Sequence, residues 1–154
     1  SWEYDIVEPN YKCNMTDIMA AIGVSQLERY SDMLAHRKKI IKRYDTVCET
    51  LPVKILNHLT KESVSSGHLY LVRINEYDSK QRNILIRKMA EHGIATNVHY
   101  KPLPMLTAYQ NMGFKIDDYP NSYYQYQNEI SLPLHSSLTA EQVEYVIKTF
   151  KILV

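Results

Sequence analysis

The stretch Glu8–Tyr30 constrains the fold of this chain most, because a polar, turn-prone approach leads into a helix whose start is apolar and rich in small residues. Asn14, Thr16 and Asp17 precede the apolar run, and such side chains accept hydrogen bonds from the free N–H groups of a helix's first turn. We therefore predict a helix that begins near Met15 or Thr16. Its apolar residues form more than one stripe, so we expect its first half to be covered on several sides.

The start of this helix has two interpretations. A helix N-terminus carries partial positive charge and unpaired donors, which suits an anion such as a phosphate. Lys12 and Asn14 flank it with further donors. The simpler interpretation is that Asn14 or Thr16 only caps a structural helix. The spacing of these residues does not decide between a phosphate site and a cap.

The rest of the chain predicts one more long helix, followed by strands that alternate with shorter helices. Ser31 or Asp32 opens the second helix, which runs until Pro52. We predict strands at 53–56, 68–74, 94–99 and 130–134, with 68–74 central, and helices from Asp78 or Ser79 to Gly93, at 105–112, at 119–126 and after Thr139. The expected fold is α/β of the α+β type: an about three-stranded, mainly antiparallel sheet packed with helices and preceded by long helices. We expect one domain, in which 1–52 form a lead-in and helical interface part and 53–154 form the sheet and helix part.

The amino-acid composition argues against several classes of binding partner. The chain has 154 residues, and its 18 basic and 17 acidic side chains give a net charge of +1. They do not gather into one basic block, which argues against a nucleic-acid surface. Two cysteines, Cys13 and Cys48, form no disulfide framework and suggest reduced thiols in the cytoplasm. No apolar run approaches the roughly 18 residues of a membrane span, and the histidines show no metal-ligand spacing, so we expect neither a membrane nor a metal partner.

A second polar site is predicted where the strand 94–99 ends. His99 is followed by Tyr100 and Lys101, and Pro102 and Pro104 stiffen the turn behind them. Residues at such strand ends commonly offer polar groups to a ligand. A surface histidine that merely ends a strand is the alternative.

Several motifs occur here in the order of a known family's C-terminal portion. They are W-x-Y-x-I at 2–6, N-Y-K-C-N-M-T-D-I-x-A-A-I-G-x-x-Q-L at 10–27, H-L-Y at 68–70, G-I-A-T-N-V-H-Y-K-P-L at 93–103 and S-L-P-L-H at 131–135. Together they resemble the DegT/DnrJ/EryC1/StrS aminotransferases, which act on nucleotide-linked keto-sugars. The resemblance covers nearly the whole chain, and a set of ordered motifs is more specific than any one of them.

The resemblance also implies roles for individual residues. The family's cofactor is pyridoxal 5'-phosphate, and an asparagine before the first helix reaches the cofactor phosphate of the neighbouring subunit. Lys12 occupies that alignment position and Asn14 lies two residues on, so the contact is made either by charge or by a neutral hydrogen bond. The segment His99, Tyr100 and Lys101 resembles the part that reaches the sugar. Many relatives have a histidine where this chain has Pro104.

The resemblance further implies the C-terminal small domain of a fold type I aminotransferase. The family's large domain precedes this segment and carries the lysine that binds the cofactor covalently, so no catalytic residue is expected here and the fragment alone is expected to be inactive. The full enzyme would move an amino group from glutamate to a nucleotide-linked keto-sugar for cell-surface polysaccharide, as a homodimer formed through the helical N-terminal part. Two alternatives remain: a sugar dehydratase of the same family, and a non-catalytic regulatory or interaction module.

Overall fold

The computed structural model describes residues 14–154. The chain divides into two compact units, Ser1–Asp32 and Met33–Val154, which are described separately. Lys12 and the lead-in motif at 2–6 lie outside the described residues.

The described part of the first unit is built around α1, which spans Asp17–Glu28. Thr16 is its N-cap and accepts a hydrogen bond from the Met19 N–H at 3.3 Å, so the predicted start is confirmed to within a residue or two. The helix has no buried residue among those described. The large apolar side chains of the helix and of Met15 before it are between 57% and 76% exposed; those of the helix are Ile18, Met19, Ile22, Val24 and Leu27. The described residues of this unit, 14–32, therefore do not provide the cover that the apolar stripes predict.

The second helix, α2, spans Tyr30–Cys48. Ile40, Ile41, Tyr44 and Cys48 are buried along it at helical spacing. The hydroxyl of Tyr44 donates to the Pro133 carbonyl at 2.8 Å. The helix thus packs one apolar stripe into the core of the second unit, and it ends before the sequence-predicted stop at Pro52.

The sheet contains three antiparallel strands: β1 (Val53–Ile55), β2 (Tyr70–Ile74) and β3 (Glu129–Leu132), in the order β1-β2-β3. In the register, Val72 lies opposite Ile55 on one side and Ile130 on the other. Every residue of β3 is buried. The predictions of a three-stranded sheet and of a central strand at 68–74 are therefore confirmed.

The predicted strand at 94–99 is wrong. This segment makes only one isolated bridge, between Asn97 and Ser131. The next amide group that could bond β3 does not extend the ladder, because the His99 N–H donates to the side-chain carboxylate of Glu129 at 3.0 Å. The neighbouring Val98 N–H donates to the Asn97 side chain at 2.8 Å. A side-chain acceptor that takes a backbone N–H competes with the ladder bond in this way. The segment contacts β3 as a loop, and β1 is the third strand of the sheet.

The remaining helices follow the predicted positions closely. They are α3 (Ser79–Glu91), α4 (Thr107–Asn111), α5 (Pro120–Tyr126) and α6 (Ala140–Leu153), with short 3-10 turns at Leu103–Met105 and Ile116–Asp118. Both α3 and α6 begin with a capping box, at Asp78 and Thr139. Gly93 has a φ of 71°, which lets the chain turn after α3.

The core of the second unit is one apolar cluster between the sheet and the helices α2, α3 and α6. Its most deeply buried members include Val72, Met89, Ile130, Val143 and Phe150, each at most 1% exposed. Burial of this apolar surface is the main stabilising contribution to the unit. The arrangement brings the start of β3, the helix α3 and the loop at 97–101 together at one place.

Candidate functional site

His99 is fixed by a chain of hydrogen bonds that begins at β3. Its ring Nδ1 lies 2.6 Å from the Ser131 Oγ. The Ser131 hydroxyl donates to Glu129 Oε1 at 3.0 Å, and the backbone N–H of His99 donates to Glu129 Oε2 at 3.0 Å. Glu129 and Ser131 are two apart on one strand, so their side chains share a face. One carboxylate therefore anchors both the backbone and, through Ser131, the ring of His99.

Glu129 is an acidic residue inside the protein, with only 1% of its surface exposed. Burial raises its pKa above the ordinary value of 4.5. The hydrogen bonds from the His99 N–H and the Ser131 hydroxyl, and the charge of Arg82, act in the opposite direction. The carboxylate is thus desolvated but supplied with donors and with a nearby positive charge.

Arg82 supplies that charge from α3 and is itself 1% exposed. One of its terminal nitrogens donates to the carbonyls of Tyr126 (2.9 Å) and Glu129 (3.1 Å). Its Nε donates to the Asn83 side chain at 2.8 Å, and its guanidinium lies 4.8 Å from the centre of the Tyr126 ring. A planar guanidinium satisfies several acceptors at once, so Arg82 ties the start of β3 to α3.

The two residues after His99 reach into solvent. Tyr100 is 71% exposed, and its ring meets the imidazole edge to face at 4.6 Å. The His99–Tyr100 peptide bond is cis. Lys101 is also exposed. The predicted site residues 99–101 thus combine one anchored imidazole with an exposed phenol and an exposed ammonium group.

Asn14 belongs to the first unit. It is exposed and lies two residues before Thr16, which makes the side-chain cap. Of the two capping residues that the sequence allows, the structure therefore selects Thr16, and the Asn14 amide is not used for that purpose. Lys12, the other predicted phosphate contact, lies outside the described residues.

Sequence analysis did not identify Glu129, Ser131 and Arg82 as parts of this site. Two signals were available. Ser131 lies in the strand predicted at 130–134 and Glu129 immediately before that strand, and Arg82 occupies the same helical stripe as Leu85 and Met89. A charged residue within an apolar stripe indicates a buried, paired charge.

In the part of the chain that the structure describes, no three His, Cys, Asp or Glu side chains are grouped so that they could hold a metal ion. Among residues 14–154, no helix combines the length and the apolar character that crossing a bilayer requires.

Comparison with known proteins places the chain in a family. The sequence profile of the DegT/DnrJ/EryC1/StrS aminotransferase family matches residues 2–151. The chain belongs to this family, and the resemblance read from its motifs is confirmed.

Individual relatives match along the whole chain. SpsC of Bacillus subtilis, a spore coat polysaccharide biosynthesis protein, is 32% identical over 157 residues, which cover 100% of this chain and 40% of that protein. The structure of Spr1654 from Streptococcus pneumoniae, described as a sugar aminotransferase, superimposes in its PLP form with a TM-score of 0.92 and 52% identity, covering 99% of this chain and 39% of that one. The aminotransferase TlmJ from Streptoalloteichus hindustanus gives a TM-score of 0.84 at 27% identity, covering 99% and 40%.

These matches bear on the fold, on the cofactor and on the length of the relatives. The sheet and helices are those of an aminotransferase fold, as predicted. The Streptococcus protein is known in PLP and PMP forms, so the cofactor expected of the family is confirmed in this neighbour. The chain spans about 40% of the length of the relatives it matches.

Proposed function

We propose that this chain is the C-terminal part of a pyridoxal-phosphate-dependent transaminase that moves an amino group from glutamate to a nucleotide-linked keto-sugar. The observation that carries the proposal is the superposition of 99% of this chain on 39% of a sugar aminotransferase at 52% identity. The match to a spore coat polysaccharide protein supports a product used in cell-surface polysaccharide. The relatives are longer than this chain, and the part of the polypeptide outside the match would contribute the covalent lysine.

The cofactor fits the residues before α1. Asn14 has an exposed amide that the Thr16 cap leaves available, and the N–H groups of the first helical turn lie just behind it. Such donors suit the cofactor phosphate. Lys12 would act there by charge. When bound, pyridoxal phosphate supplies the electron sink and the amine carrier for the reaction.

The sugar would bind at 99–101. The imidazole of His99 is held by its hydrogen bond to Ser131, which prepares the ring to orient a sugar hydroxyl. Tyr100 offers an exposed ring face on which a sugar can pack. The ammonium group of Lys101 would attract the phosphates of the nucleotide. Each of these side chains is at least partly accessible.

The proposed partner is a second copy of the polypeptide, bound through the helical N-terminal part. The supporting feature is the apolar surface of α1, where Ile18 is 76% exposed and Leu27 is 71% exposed. Apolar surface of this extent marks a contact with another chain or another domain. We also propose a cytoplasmic location, with which the buried free thiol of Cys48 is consistent.

The test is steady-state amine transfer by the cofactor-loaded polypeptide that carries this chain. Nucleotide-linked keto-sugars and glutamate are supplied, and the aminated sugar is identified by mass spectrometry. His99→Ala is expected to raise KM for the sugar roughly tenfold, the cost of one hydrogen bond. The control is His92→Ala, an exposed histidine at the end of α3. No aminated product from any keto-sugar, or equal effects of the two variants, would contradict the proposal.

A further inference from the structure

The hydrogen bonds around Ser131 determine which ring nitrogen of His99 carries a proton. A serine hydroxyl has a single proton, and the bond from Ser131 to Glu129 Oε1, at 3.0 Å, uses it. The Oγ then has only acceptor capacity left. The 2.6 Å contact between His99 Nδ1 and Ser131 Oγ therefore requires a proton on Nδ1. A neutral imidazole carries one N–H, so its Nε2 is an acceptor.

The donor and acceptor roles in this series of hydrogen bonds depend on Glu129 being an ionised acceptor. Both of its oxygens receive donors, from the His99 N–H and from the Ser131 hydroxyl. Arg82, as deeply buried as Glu129, holds the Glu129 backbone carbonyl at 3.1 Å and places a positive charge nearby. If Glu129 were instead protonated, it would donate to Ser131, and Ser131 would donate to His99 Nδ1. The two directions put the imidazole proton on opposite nitrogens.

We propose that Glu129 and Ser131 are positioning residues that hold His99 in the Nδ1–H form, so that Nε2 accepts a hydrogen bond from a hydroxyl of the bound sugar. The second half of this inference rests on the proposed function, whereas the tautomer of His99 does not. A nitrogen fixed as an acceptor forms a hydrogen bond with a sugar hydroxyl. It forms none with a sugar that lacks this hydroxyl, which therefore binds more weakly. His99 therefore becomes a specificity-determining residue for hydroxylated keto-sugars.

The tautomer is tested by NMR on the chain labelled with ¹⁵N in its six histidines, with His99 assigned by its loss in His99→Gln. Long-range ¹H–¹⁵N correlations are recorded at a pH where the ring is neutral, as the titration of the same resonances identifies. We expect Nε2 to resonate far downfield, as an unprotonated nitrogen does, and Nδ1 upfield. Ser131→Ala should move the two resonances toward each other, and Ser131→Thr, which keeps the hydroxyl, should restore them. A protonated Nε2 in the wild type, or no change in Ser131→Ala, would overturn the proposal.

A kinetic measurement on the cofactor-loaded polypeptide separates positioning from folding. Ser131→Ala should raise KM for the keto-sugar roughly tenfold while leaving KM for glutamate unchanged, and Ser131→Thr should recover the lost affinity. Equal changes in both KM values would show a merely structural role and overturn the positioning assignment. If the wild type aminates no sugar, the proposed function fails, while the NMR result still decides the tautomer.

Discussion

Replacing Arg82 with methionine is the sharpest test of how the site is supported. Methionine has a similar length, but it leaves the carbonyls of Tyr126 and Glu129 without their donor and removes the charge beside the Glu129 carboxylate. Each buried acceptor left unsatisfied costs about 1–3 kcal/mol, and the positive charge that lowers the pKa of Glu129 is lost as well. Because Arg82 is 1% exposed, water cannot replace these contacts. With two carbonyls left unsatisfied, we expect Arg82→Met to lower the free energy of unfolding by about 2–6 kcal/mol.

The assay is urea unfolding followed by far-ultraviolet circular dichroism, with the slope compared between variants. Arg73→Met is the matched control. Arg73 also bonds to a side-chain oxygen and a carbonyl, those of Asn128 (3.0 Å) and Tyr124 (3.0 Å). It is only half-buried, however, so solvent can take over its role and the expected loss is about 1 kcal/mol.

The double variant Arg82→Met/Glu129→Gln identifies the source of the loss. If an uncompensated carboxylate causes much of it, the neutral glutamine should recover about 1–2 kcal/mol relative to additive single effects. Equal losses for Arg82→Met and Arg73→Met would refute the reasoning, as would strictly additive effects in the double variant.

Three further predictions concern the same unit. Because burial raises the pKa of Glu129, its ionisation disfavours the folded state; wild-type stability relative to Glu129→Gln should therefore fall as the pH rises above 4.5. Denaturant midpoints measured across the acid range check this, and a relative gain for the wild type would contradict it. Gly67→Ala should cost about 1–2 kcal/mol in thermal unfolding, because Gly67 has a φ of 63° and a new Cβ would lie 2.9 Å from Ile41 Cδ1; an unchanged melting temperature would contradict it. Thr139→Ala should cost about 1 kcal/mol through loss of the α6 cap, whereas a Thr139→Ser variant as stable as the wild type would show that the hydroxyl is what matters.

Many helices and the central strand can be predicted from the sequence because their capping residues and residue preferences agree with the tertiary structure. Thr16, Asp78 and Thr139 each precede an apolar periodic run, and each caps the helix that follows. The central strand combines β-branched and aromatic residues with alternating burial. Such elements can be predicted because the local preference and the tertiary packing agree.

The strand predicted at 94–99 failed for a reason that local chemistry does not reveal. Its apolar and β-branched residues have the right propensity, yet its amide groups bond to the side chains of Asn97 and Glu129. The second of these acceptors lies 30 residues away along the chain. A competitor that arrives only through tertiary folding cannot be predicted from a local pattern.

Of the candidate site, the sequence predicts only the residues that solvent can reach. His99, Tyr100 and Lys101 stand out because they follow an apolar run and precede prolines. Their support from Ser131, Glu129 and Arg82 depends on the packing of α3 against β3, and the sequence alone does not give that packing.

The decisive experiment is a single turnover by the polypeptide that carries this chain, loaded with pyridoxamine 5'-phosphate. The reaction is monitored through the absorbance of the bound cofactor. A nucleotide-linked keto-sugar should convert the cofactor to its pyridoxal form and yield an aminated sugar, and glutamate should restore the starting form. His99→Ala should slow the sugar half-reaction roughly tenfold at subsaturating sugar and leave the glutamate half-reaction unchanged. A cofactor that no keto-sugar converts, a dehydrated sugar as product, or a His99→Ala variant equally slow in both halves would contradict a sugar-binding role for this chain in amine transfer.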